Sequence, residues 1–75
     1  MALIGKNSKI ELNPSQSKLH DEVWKASIKK FSFGNCQYVQ INTYGTAKRE
    51  FSDVASQTLQ IELETFKRLI SMIDE

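Results

Sequence analysis

Through the middle of the chain, polar and apolar side chains alternate with a period of two, and near its end the period lengthens to between three and four. In VWKASIKKFSF, residues 23–33, Trp24, Ala26 and Ile28 share one face, while Lys25, Ser27, Lys29, Phe31 and Phe33 share the other. Gly34-Asn35 follows, then CQYVQINTY, residues 36–44, with Cys36, Tyr38, Gln40, Asn42 and Tyr44 on one face and Gln37, Val39, Ile41 and Thr43 on the other. Two such runs joined by Gly-Asn predict an antiparallel hairpin, because both residues tolerate the positive φ that a tight turn needs. Gly45 closes the second strand. Ala47–Phe51 predicts a third, shorter strand, and Ser56–Ile61 a fourth, in which Gln57, Leu59 and Ile61 alternate with Thr58 and Gln60.

In ELETFKRLISMIDE the apolar residues Leu63, Phe66, Leu69, Ile70 and Ile73 form one stripe down a helix of about three turns. Glu62 and Glu64 at its start, with Lys67 and Arg68 further on, follow the sense that the helix dipole favours. Such a stripe has to be buried. The expected fold is therefore α+β: a four-stranded, antiparallel, curved sheet followed by one C-terminal amphipathic helix, β-β-β-β-α, with the helix on one face and the other face open. Residues 1–20 lack sustained periodicity and carry Gly5, Asn7, Asn13 and Pro14, so they predict a flexible or loosely docked arm, with Lys9–Leu12 as a short strand within it. Residues 21–75 are then the binding domain.

Length sharpens this reading. A chain of 75 residues holds one small domain and no separate catalytic module. A core of that size contributes little net stability and needs support. With one cysteine, Cys36, and one histidine, His20, the support is neither an internal disulfide nor a tetrahedral metal site. Oligomerisation remains. The opening MALIGKNSK has no apolar run of signal-sequence length, so a cytoplasmic, reducing location is expected, with nucleoid association as a variant of it. No membrane partner is expected.

A net charge of +1 conceals a division along the chain. Residues 24–51 hold Lys25, Lys29, Lys30, Lys48 and Arg49 against Glu50, whereas residues 52–75 are net acidic. The basic segment coincides with the strands that carry the aromatics. On a sheet face open to water, ammonium groups follow a phosphate backbone and rings provide surfaces on which unpaired bases stack. The expected ligand is single-stranded DNA, with RNA as the second candidate. Lys25, Lys29, Lys30, Lys48 and Arg49 are assigned to phosphates, Phe31, Tyr38 and Tyr44 to stacking, and Ser27, Gln40 and Asn42 to hydrogen bonding.

The order SIKKF, QYVQINTYG, SQTLQI and LETFKRLISMIDE resembles the single-stranded-DNA-binding domain of the transcriptional coactivator family called positive cofactor four, which includes bacterial and phage members. The resemblance spans roughly residues 24–74 and rests on Lys29, Phe31, Ile41, Tyr44, Leu59, Ile61 and Phe66. It implies a homodimer formed through the helices, which places Phe66, Leu69, Ile70 and Ile73 at the interface, and a role in transcription, replication or recombination beside a polymerase or replication protein. Asn42 stands where the family usually has Arg, and Val54-Ala55-Ser56-Gln57-Thr58 replaces a Lys-rich approach to the last strand. Both departures remove phosphate-binding charge.

The remaining reactive groups have simpler readings. Trp24, on the Ala26/Ile28 face, reads as a packing or interface anchor. Phe33, beside the turn, is divided between core and platform. His20 reads as a surface residue and Cys36 as a small packed side chain. Glu62, Glu64, Asp74 and Glu75 read as solvated helix ends rather than an acid–base pair. No catalytic constellation or glycine-rich phosphate loop is present, so neither an enzyme nor a cofactor is expected. The competing reading is a small protein–protein adaptor, such as a phage-encoded modulator of a host polymerase or nuclease, that docks through the same sheet.

Overall fold

The computed structural model describes residues 1–45 and 55–74. The strand expected over Ala47–Phe51, with Lys48 and Arg49, lies outside the described residues, as does Glu75. Within them the order is β1 (Ala2–Ile4), β2 (Lys25–Phe33), β3 (Cys36–Tyr44), β4 (Gln57–Glu62) and α1 (Leu63–Ile73).

The hairpin forms where the alternation places it. β2 and β3 pair antiparallel from Lys25 opposite Tyr44 to Phe33 opposite Cys36, leaving Gly34 and Asn35 as a two-residue loop. Only Gly34 takes positive φ, at +62°, and Asn35 does not. That is the pattern of a loop with glycine at the first central position, whose twist suits the flanking strands. Two backbone bonds extend the pairing beyond the strand ends: Trp24 N–H donates to Gly45 O at 2.9 Å and Ser56 N–H to Thr43 O at 2.7 Å.

β4 pairs antiparallel with β3, from Tyr38 opposite Glu62 to Thr43 opposite Gln57. The expected fourth strand is thus present as β4, and beside it lies a strand that the sequence pattern assigns to the arm. Ala2–Ile4, inside the predicted arm, lies parallel to β4, with Leu3 opposite Gln60. The sheet order is β1-β4-β3-β2, and the sheet is mixed rather than wholly antiparallel. Lys9–Leu12 forms no strand. Its alternation is local, and a strand exists only where a neighbour accepts its backbone groups.

The helix follows β4 without a linker and returns over β3 and β4. Val39 and Ile61 face each other in the register and are 6% and 4% exposed, the buried apolar residues among those described. Full burial of one such side chain stabilises by about 1.5–3 kcal/mol, so this pair is the centre of a small core. Thr65 is buried, and Leu63, Phe66, Leu69 and Met72 are half-buried around it. The stripe is wider than its cover: Ile70 and Ile73 remain 50% and 75% exposed, and Ile28, on the same side of the sheet, 67%.

Glu62 corrects the expectation of solvated helix ends. It is 4% exposed and caps the helix itself: Oε1 accepts from Thr65 N–H at 3.0 Å and Thr65 Oγ1–H at 2.7 Å, and Oε2 from Glu64 N–H at 3.1 Å. The carboxylate therefore satisfies two of the otherwise unpaired first-turn donors, a role more often taken by shorter side chains.

Candidate nucleic-acid interface

Because side chains alternate across a sheet, the register fixes which residues share the face away from the helix. Lys25, Ser27, Lys29, Phe31 and Phe33 of β2 lie opposite Tyr44, Asn42, Gln40, Tyr38 and Cys36 of β3. Asn42, Gln40 and Tyr38 in turn lie opposite Thr58, Gln60 and Glu62 of β4, and Leu3 of β1 sits beside Gln60. Val39 and Ile61 occupy the opposite, helix-covered face. Of the eleven residues assigned to this face, nine lie among the described residues, and eight of those have a position on it. Lys30 is the exception: it pairs with Val39, so its exposed side chain starts from the helix side.

The aromatics are paired rather than independent. Phe31 and Tyr38 stack across the ladder with centroids 5.5 Å apart and planes 24° apart. Lys25 Nζ sits 4.7 Å from the Tyr44 ring centroid and 5.8 Å from that of Trp24, within the range of cation–π attraction. Ser27 Oγ stands 3.5 Å from the Tyr44 hydroxyl. One ring face of each tyrosine is thus occupied by a neighbour. Phe33 is 77% exposed and so stands outside the core. Leu3, Phe31, Phe33, Tyr38 and Gln60 line one shallow, largely apolar hollow.

Between the two aromatic clusters runs a polar row. Gln60 Nε2 donates to Gln40 Oε1 at 2.9 Å, Gln40 Nε2 donates to Asn42 Oδ1 at 3.0 Å, and Thr58 Oγ1 donates to the same oxygen at 3.0 Å. These bonds hold the amides upright on the face and fix their spacing.

Lys6, Leu3, Thr58 and Gln60 belong to this surface although none was assigned to it from sequence. For Thr58 and Gln60 the signal was present in the alternation of the fourth strand, once that strand is placed beside β3. For Lys6 there was none, because its position depends on the parallel pairing of β1 with β4. Lys6 stands with Cys36, Tyr38 and Glu62 around a second hollow at the sheet's end, and its ammonium is held above its ordinary pKa first by the Cys36 sulfur and then by the Glu62 carboxylate. Glu62 is held below the ordinary carboxylate range chiefly by the Thr65 hydroxyl, then by the Glu64 and Thr65 amides and by Lys6, against the opposing effect of burial.

His20 is exposed and Cys36 is a half-buried free thiol. Among the described residues no group of three or more His, Cys, Asp or Glu side chains is placed to hold a metal ion, and no helix is long and apolar enough to cross a membrane. No family model, curated protein or solved structure matches the chain.

Proposed function

We propose that the protein binds single-stranded DNA, or RNA, on the outer face of its sheet, without catalysis, in transcription, replication or recombination. The observation that carries this reading is the shared face itself. Lys29 stands opposite Gln40 and Lys25 opposite Tyr44, along the β2 side of a polar row that lies between the Phe31–Tyr38 stack and Tyr44. Unpaired strands offer both ring faces and phosphates, whereas a duplex hides the former. The resemblance to the positive cofactor four family supports the same reading.

The active form is a homodimer closed over the helix side. On that side Ile28, Ile70 and Ile73 stand 67%, 50% and 75% exposed, a row of apolar side chains that the helix itself does not cover. A second copy packed on Phe66, Leu69, Ile70 and Ile73 covers that side and leaves the outer face free. The apolar hollow at Leu3, Phe31 and Phe33 favours the adaptor reading instead, with an apolar peptide side chain as its occupant.

Fluorescence anisotropy with a labelled oligonucleotide over a salt series tests the proposal. Binding that weakens steadily with salt is expected. Absence of binding at low salt, with retention of a protein partner after Lys29→Glu and Lys30→Glu, selects the adaptor.

A further inference from the structure

The row of side-chain hydrogen bonds on the outer face has a property that strand binding in general does not require. Gln40 lies opposite Gln60, and Asn42 opposite Thr58, so two cross-strand pairs are joined by one link along β3. All four residues are half-buried. A primary amide carries one oxygen acceptor and two N–H donors. Asn42 Oδ1 accepts from two partners, and among the described residues neither Asn42 N–H group nor, at the other end, Gln60 Oε1 has a partner.

Rotating each of the three amides by half a turn about its terminal torsion exchanges oxygen and nitrogen in place. The same contacts then form in the reverse sense. Gln40 donates to Gln60, and Asn42 donates one N–H to Gln40 and the other to Thr58, whose hydroxyl accepts as readily as it donates. Asn42 now presents an oxygen and Gln60 an amino group. A partly rotated row sets two NH₂ groups or two oxygens against each other, so the three amides turn together.

We infer that this row is a reversible reader of base edges: it offers donors at Asn42 to a base with a carbonyl there, such as thymine, and an acceptor to a base with an amino group, such as cytosine. The inference rests on the outer face being the single-strand site. A row that can turn pairs with either group at that position, whereas a row locked in one polarity leaves an unpaired group against one of them.

Two substitutions lock the row in opposite senses. Gln60→Lys can only donate to Gln40, which leaves donors exposed at Asn42. Gln60→Glu can only accept, which leaves the oxygen exposed. Anisotropy is measured with oligo-dT and oligo-dC of equal length on the wild type and both variants. The added charge moves both affinities together, so the dT-to-dC ratio isolates the reading of the base. The wild-type ratio is expected within about threefold of unity, with a several-fold rise in Gln60→Lys and a several-fold fall in Gln60→Glu. Unchanged ratios, or shifts in the same direction, overturn the inference while leaving strand binding intact. Failure of the wild type to bind either oligonucleotide removes the strand-binding reading itself. A second readout needs no variant: the side-chain NH₂ resonances of Asn42 and Gln60 respond differently to dT and dC, and identical responses overturn the inference.

Discussion

Phe31 and Tyr38, seven residues apart along the chain, face each other across the β2–β3 ladder with ring centroids 5.5 Å apart and planes 24° apart. The pair exists because the Gly34-Asn35 loop fixes a register in which both residues point away from the helix. Each ring has one face against its neighbour, so under the proposed function a base would stack on the pair as a unit. Phe31→Ala should therefore weaken single-strand binding by about 1–3 kcal/mol, and Tyr38→Phe should leave it close to wild type, as read by anisotropy at fixed salt.

Lys29 and Lys30 are adjacent in sequence and start from opposite faces, which gives a direct test of the side that meets phosphate. Each phosphate contact on a single strand contributes roughly 0.7 to the slope of log affinity against log salt. Lys29→Ala should lower the magnitude of that slope by about this amount, and Lys30→Ala by much less. Equal effects from the two substitutions contradict the assignment of faces.

The Glu62 cap makes stability depend on acid. Its folded carboxyl titrates below the unfolded one, so its contribution is complete above the unfolded value of about 4.3 and is lost as pH falls through the lower folded value. Denaturant midpoints between about pH 7 and about pH 3 should show this decline, and Glu62→Gln should flatten that part of the profile while lowering the midpoint at neutral pH.

Gly34 has open space around the position of a Cβ, so a side chain there meets no neighbour. Its φ of +62° is the obstacle. Gly34→Ala should cost on the order of 1–2 kcal/mol through backbone strain, whereas Asn35→Ala, at negative φ, should cost less. Chemical denaturation of the two variants makes the comparison.

The hairpin and the helix were legible because each is specified locally, the first by alternation around a Gly-containing turn and the second by the stripe from Leu63 to Ile73. Knowing β2 and β3 was enough to bring Lys25, Ser27, Lys29 and Phe31 together with Tyr38, Gln40, Asn42 and Tyr44. β1 was not legible. Ala2–Ile4 is three residues long and is a strand only because β4, more than fifty residues later, accepts its backbone groups. Lys6 reaches the surface through the same long-range pairing. The Glu62 cap was missed because glutamate is an uncommon N-cap, and its burial depends on Thr65 and on the sheet beneath it rather than on local pattern.

The central claim is that nucleic acid meets the sheet face turned away from the helix, and an amide and side-chain NMR titration with oligo-dT tests it most directly. The account predicts perturbations at Lys25, Lys29, Phe31, Tyr38, Gln40, Asn42 and Gln60, with the methyl signals of Ile28, Leu69 and Ile70 unmoved. Perturbations concentrated on α1 and Ile28, with the outer face silent, would contradict it.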